Sequence, residues 1–218
     1  MPNNYQDTNL LKYHRKRLID ELCRLGISNP DVLAVMRNTP RHIFIDEALV
    51  SHAYTNNALP IGYGQTISQP YIVARMTEAL LAKDTPNKVL EVGTGCGYQT
   101  AVLAQLINNV YSVERIQNLA NKACNYLNKL EFYNILLHHS DGHWGWPEMG
   151  PYQGIIVTAA PTTVPEQLLE QLEIGGRLII PVGPPRQQVL LKITRTRHNY
   201  EQSILEKVSF VPMLQGLD

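Results

Sequence analysis

Residues 89–104, VLEVGTGCGYQTAVLA, decide how the rest of the chain is read. A short apolar run over 88–92 passes directly into Gly93, Gly95 and Gly97, and an apolar-rich segment over 98–107 follows. That pattern is a strand turning sharply into a helix. Glycine suits such a turn because the backbone must bend tightly and admit a ligand where a Cβ would stand in the way. At the end of the next apolar run, over 110–113, stands Glu114. A carboxylate placed there can accept hydrogen bonds from both hydroxyls of a ribose. A glycine turn alone says little. Strand, glycine turn, helix, strand and terminal acid in that order point to a nucleoside ligand.

The alternation continues outward from this stretch. The pattern predicts a helix over 116–130, strands over 134–138 and 154–158, a helix over 165–172 and a strand over 177–182. Two further strands, in QQVLLKITRTR and SILEKVSFVPML, are joined by a turn near His198 and Asn199. Strand–helix alternation of this kind builds a doubly wound, mostly parallel α/β sheet with helices on both faces, and the final strand pair gives it an antiparallel edge. Ahead of it, Leu10, Leu11, Leu18, Ile19, Leu22 and Leu25 make a helical stripe closed by Gly26. Asn29-Pro30 starts a second helix, with Val32, Leu33, Val35 and Met36 as its apolar face, and YIVARMTEALLAK after Pro70 is a third. The stretch from Thr39 to Gly64 is rich in breakers and reads as loop. The expectation is one domain over 1–218, with a helical and loop-like cap over 1–84 and a ligand-binding core with the C-terminal strands over 85–218.

Composition narrows the classes. The 218 residues carry 19 basic and 19 acidic side chains, so a nucleic-acid partner held by a broad positive field is not expected, although a local basic patch can sit around Lys12–Arg17. Cys23, Cys96 and Cys124 are odd in number and lack CxxC spacing, which suggests free thiols in a reducing compartment. The N-terminus shows no apolar leader and no run is long enough to span a membrane, so a cytoplasmic, non-membrane protein is expected. A monomer is the default, since no long apolar surface run calls for a partner.

The segment LPIGYGQTISQPYIVARM, residues 59–76, adds a puzzle. Between its glycines and Pro70 lie Gln65, Thr66, Ile67, Ser68 and Gln69, a cluster of amides and hydroxyls with no strong acid or base. Ser68 or Gln69 could simply cap the helix that follows. Asp141-Gly142 falls just after the strand over 134–138, on the ligand-facing edge of such a sheet, where an aspartate can accept from an adenine amino group while a glycine leaves the ring its slot. Asp-Gly is also an ordinary turn. His138, His139 and His143 follow no metal-ligand spacing, and no metal is expected. Trp144 and Trp146 read as wall or core. Cys96 reads as a small filler within the glycine turn.

The dinucleotide fingerprint wants a further glycine where this chain has Tyr98, and no Gly-Lys-Ser/Thr makes a phosphate loop. The form G-x-G-x-G after an acidic residue, here Glu91, resembles S-adenosylmethionine-dependent methyltransferases. PRHIFIDEA, LPIGYGQTISQPYIVARM, VLEVGTGCGYQTAVLA, YSVERI, DGHWGW, IIVTAAP, GGRLIIPVG and VSFVPML together resemble the bacterial protein-L-isoaspartate O-methyltransferases over nearly the whole chain. The resemblance implies a Rossmann-like class I methyltransferase sheet with a rearranged final strand order. It implies a protein-repair activity in which a methyl group passes from S-adenosylmethionine to the free α-carboxylate of L-isoaspartyl residues, leaving S-adenosylhomocysteine and starting repair through a succinimide. It makes Ser68 the active-site serine and gives cofactor contacts to Gln65, Thr66, Ile67, Ser68, Glu91, Gly93, Gly95, Gly97, Glu114, Asp141 and Gly142. Thr66, Ser68 and Pro212 receive the substrate, an isoaspartyl peptide or flexible protein segment, and residues 56–64 supply a further wall. Relatives carry a cofactor-contacting threonine where this chain has Leu214.

The polar cluster suits that chemistry. A free α-carboxyl has a pKa of about 3.3–3.7 and is already ionised at neutral pH, so no general base is required. Neutral donors can orient it without holding its charge tightly. Ser68 is expected to orient, not to attack, since no G-x-S-x-G elbow surrounds it. The rivals are a small-molecule or RNA methyltransferase, an S-adenosylmethionine-binding protein without transfer, and an NAD-dependent oxidoreductase. Balanced charge, the Gln65–Gln69 cluster and Tyr98 speak against them in turn.

Overall fold

The computed structural model describes residues 7–218. The first six residues of the expected cap lie outside it. Helix α1 (Asn9–Arg24) starts at Thr8, whose side chain accepts from Leu11 N, and buries Arg15, Leu18, Ile19 and Leu22. Leu10 and Leu25 are exposed, so the apolar stripe is shorter than the leucine spacing suggests. Arg15 leaves the expected basic patch altogether: it turns inward to Asp7 and the Tyr54 hydroxyl. Helix α2 (Pro30–Asn38) is capped by Asn29, which accepts from Asp31 N and Val32 N, and has Pro30 at its first position.

The breaker-rich stretch is more ordered than its composition suggests. It holds 3-10 turns at Arg41–Phe44 and Glu47–His52, then strands β1 (Leu59–Gly62) and β2 (Gln65–Ile67), which pair antiparallel. Tyr63 and Gly64, both at positive φ (53° and 67°), make the two-residue turn between them. This is the left-handed pair that a tight hairpin needs. Helix α3 (Pro70–Leu81) follows with Pro70 at its start and packs on the sheet below.

The core matches the alternation. Strand β3 (Lys88–Val92), helix α4 (Tyr98–Ala104), β4 (Asn109–Glu114), α5 (Gln117–Lys129), β5 (Ile135–His139), β6 (Tyr152–Val157), α6 (Glu166–Glu170), β7 (Leu172–Val182), β8 (Gln188–Arg195) and β9 (Tyr200–Val208) come in that order. They form one seven-stranded sheet in the spatial order β5-β4-β3-β6-β7-β8-β9. The first five are parallel, and β8 and β9 add antiparallel. Helix α6 is shorter than expected because Leu172 pairs with Tyr152 of β6, so that β7 absorbs the predicted helix end. Strands β3 and β6, and β7 from Leu178 to Pro181, are nearly continuous buried runs, as strands covered on both faces must be. The order reverses between β3 and β6, and a ligand crevice belongs beyond the carboxyl ends of the strands at that switch point.

Candidate active site

At the switch point lies a cavity with about 830 Å³ of empty space, counting its open mouth. Its floor is the end of β3 and the glycine turn (Val92, Gly93, Gly95), and one wall is the end of β4 with Glu114. Thr158 and Ala159 after β6 contribute, as do Gly142 and the C-terminal residues Pro212, Met213 and Leu214. Gln65, Thr66, Ile67 and Ser68 close the far side. A second groove, lined by Asn56, Asn57, Ala58, Gln69, Glu206 and Phe210 among others, runs up to the same Thr66 and Ser68. The polar cluster therefore stands where the chamber meets the groove.

The glycines are there for space. A Cβ on Gly93, which sits at φ 95°, would collide with the Thr158 hydroxyl, and one on Gly142 would lie 2.5 Å from Val92 Cγ1. Gly95, at φ 56°, turns its N–H onto Glu114 Oε2 at 2.7 Å, while Glu114 Oε1 accepts from Ile116 N at 3.0 Å. Two backbone donors thus fix this carboxylate, and each oxygen keeps a lone pair for a further donor. The cavity, its glycine floor and this acid fit a nucleoside-bearing ligand whose hydroxyls bind at Glu114.

Three of the residues expected to contact the cofactor are not among those that line the cavity. Glu91 is fully buried beneath the turn, where its Oε2 accepts from Thr100 and Ser112, and Ser112 in turn meets Thr94 at 2.6 Å. Burial pushes its carboxyl up to about 8, although the two hydroxyls pull the other way. It supports the turn from below and does not line the cavity. Gly97, at φ 90°, starts α4, and a Cβ there would press on Ala123 and Leu127 of α5. It is a packing glycine. Asp141 Oδ1 accepts from His143 N and Oδ2 from Gly216 N at 2.7 Å, and Oδ2 keeps a lone pair for a further donor. Burial works against its charge, yet these N–H donors and His143 hold the carboxyl below its ordinary range. It pins the C-terminal segment, and its neighbour Gly142 faces the cavity.

The other readings divide. The Ser68 hydroxyl makes no side-chain cap of α3, nor does Gln69, so the capping alternative is not what the fold uses. Cys96 lines the cavity, but burial raises its thiol to about 11, which suits a filler and not a nucleophile. Tyr98, also in the wall, is likewise raised by burial. Cys23 and Cys124 are free and exposed. Trp146 packs against Tyr111 and stacks on His138, whereas Trp144 is 60% exposed and belongs to neither wall nor core. His139 bonds Arg115 O and His143 bonds Asp141; among the described residues no group of three or more potential ligands could hold a metal ion. No helix among them is long and apolar enough to cross a membrane.

Sequence reasoning missed Thr158 and the C-terminal Met213. Thr158 was open to the rule that found Glu114, since it follows a strand on the same edge. Met213 was not, because it is brought in by a bridge between Ala160 and Pro212 from distant parts of the chain.

Comparison with known proteins agrees with this geometry. Residues 13–218 match the family model described as protein-L-isoaspartate(D-aspartate) O-methyltransferase. The chain is 56% identical over 202 residues to the protein-L-isoaspartate O-methyltransferase of Halorhodospira halophila, covering 93% of this chain and 92% of that one. It is 55% identical to the Pseudomonas aeruginosa protein of the same name, over 93% of this chain and 96% of that one. Among solved structures it is similar to a Plasmodium falciparum protein described as a putative member of this enzyme group in complex with S-adenosyl-L-homocysteine. There the TM-score is 0.80 at 27% identity, covering 92% of this chain and 98% of that one.

Proposed function

The chain belongs to the protein-L-isoaspartate(D-aspartate) O-methyltransferase family, and we infer that it moves the methyl group of S-adenosylmethionine onto the free α-carboxylate of L-isoaspartyl residues in damaged proteins. The observation that carries this reading is the meeting of the chamber and the groove at Thr66 and Ser68. S-adenosylmethionine, when bound, supplies a methyl group made electrophilic by its sulfonium.

The protein's own share is placement. Gly93 and Gly95 leave the floor open, and Glu114 accepts from ribose hydroxyls at the end of β4. Thr66 and Ser68, which line both the chamber and the groove, offer hydroxyls to donate to the substrate carboxylate, and neither caps α3. Neither is an acid or base at neutral pH. Holding a carboxylate oxygen in line with an activated carbon, with water excluded, is worth roughly 7–11 kcal/mol in well-oriented models. The groove past Asn56, Asn57 and Phe210 takes the flanking chain, which must be flexible for its isomerised residue to reach Ser68. Once esterified, the carboxyl becomes a target for the neighbouring backbone nitrogen, which expels methanol and closes a succinimide without help from the protein.

The test pairs two peptides that differ only by aspartate or isoaspartate at one position, incubated with methyl-labelled S-adenosylmethionine. Base-labile label on the isoaspartyl peptide alone is expected. Label on both peptides, or on neither, overturns the reading.

A further inference from the structure

We propose that Arg41 is a positioning residue for methyl transfer, a buried cation that fixes the acceptor loop to the donor loop; this rests on the function inferred above. Arg41 lies in the 3-10 turn at Arg41–Phe44, is fully buried and does not line the chamber. One terminal nitrogen, Nη2, donates to the Ser68 carbonyl at 2.8 Å and reaches the Asn57 carbonyl at 3.4 Å. The guanidinium carbon stands 4.9 Å from the centre of the Tyr98 ring, on the far side of the glycine turn. A single rigid group thus touches the serine that meets the substrate, the wall of the groove and the first residue of α4.

The chemistry of the contact is unusual for a purely structural arginine. Buried guanidinium groups are normally paired with a carboxylate. Among the described residues Arg41 has no such partner, and its Nε and Nη1 have no hydrogen-bond acceptor. Its charge is met by carbonyl oxygens and by the ring and side-chain hydroxyl of Tyr98, with no carboxylate beside it. Desolvating a cation this way is costly, so the arrangement weakens the fold where it stands. What it provides is a fork of fixed shape at the back of Ser68, which lysine's single ammonium cannot reproduce. The uncompensated charge also favours an anion on the other side of that loop, where the isoaspartyl carboxylate arrives.

Arg41→Met and Arg41→Lys test the proposal. Wild type and variants are compared for melting temperature, for S-adenosylhomocysteine affinity by calorimetry, and for kcat and peptide KM. A misplacement of about 1 Å at a reacting centre costs about 10²-fold. Arg41→Met is therefore expected to fold, to bind S-adenosylhomocysteine within about threefold of wild type, and to lose roughly 10²-fold in kcat. Arg41→Lys should restore part of the loss in peptide KM, because it returns the charge, but little of kcat, because it lacks the fork. Undiminished kcat in a folded Met variant overturns the proposal. So does an equal loss of S-adenosylhomocysteine affinity and kcat, or failure of both variants to fold, either of which marks the residue as structural only. A wild-type protein that methylates no isoaspartyl peptide overturns the underlying reading instead, and the proposal with it.

Discussion

Single side chains divide into those that meet ligands and those that hold the ones that do. Under the proposed function Ser68 belongs to the first group, with its hydroxyl where the chamber meets the groove. Replacing it with alanine removes one hydrogen bond to a charged acceptor, worth about 1.5–3 kcal/mol. We expect Ser68→Ala to lower kcat by roughly 10- to 100-fold while S-adenosylhomocysteine affinity, read by calorimetry, stays within about twofold. Parallel loss of both would mean that Ser68 only shapes the chamber. Glu91 belongs to the second group, and its burial has a consequence for stability. Its carboxyl keeps a proton up to about pH 8 in the folded chain against an ordinary value of 4.5. Between those values the native state holds one more proton than the unfolded chain, so stability falls as pH rises across the window and levels off above it. Glutamine mimics the protonated form without titrating. Urea unfolding at pH 5, 6.5 and 8 should therefore show Glu91→Gln gaining on wild type with each step. A difference independent of pH would show that Glu91 is ionised when folded.

Elements bring these residues together from far apart, and the C-terminal segment after β9 is the clearest case. Met213 N donates to Ala160 O, Gly216 N to Asp141 Oδ2, Arg115 Nε to Gly216 O, and Asp218 N to Arg115 O. These bonds draw Met213 and Leu214 into the chamber wall. Deleting residues 215–218 cuts the last three while leaving every strand intact. The shortened chain should bind S-adenosylhomocysteine about tenfold more weakly, a loss of about 1.4 kcal/mol, with a melting temperature within a few degrees of wild type. Unchanged affinity would refute a role for the strap. Its course was not legible in the sequence, because no periodicity reports which loop a terminal segment crosses. What was legible is local. The glycine turn with its flanking strand and helix, and Glu114 at the end of β4, each follow from a pattern within one unit. The hairpin of β1 and β2 was lost for a different reason: strands of four and three residues, with Pro60 and Gly62 among them, give no alternation to count. Its only signal was Tyr63-Gly64, and a tyrosine rarely takes the left-handed position it holds here. Glu91 was placed correctly on β3, but its side was not. An acid beside a ligand loop and an acid beneath one read alike until the register with Ser112 of β4 is known.

At the scale of the whole molecule, the sheet brings together an anionic acceptor and a cationic donor, and the reaction leaves two neutral products. Charge is annihilated, so a dry chamber favours the passage from reactants to products, and no proton has to move at the transition state. The lining agrees with that demand. Among the described residues it contains no histidine and no lysine; its carboxylate, Glu114, is held by Gly95 N and Ile116 N, and Cys96 and Tyr98 are both pushed upward by burial. The acceptor itself is ionised well above its pKa of about 3.3–3.7. From about pH 5 to pH 7, beneath the range in which Glu91 gives up its proton, kcat should accordingly vary by less than about twofold, since neither limb of an acid–base profile falls there. The window is also favourable for the measurement, because the methyl ester is lost to base and survives mild acid. Single-turnover label transfer to an isoaspartyl peptide, sampled every half unit, would read the profile without interference from product release. A tenfold rise across that interval would demand a general base titrating within the chamber, and a pocket that works by placement alone uses none.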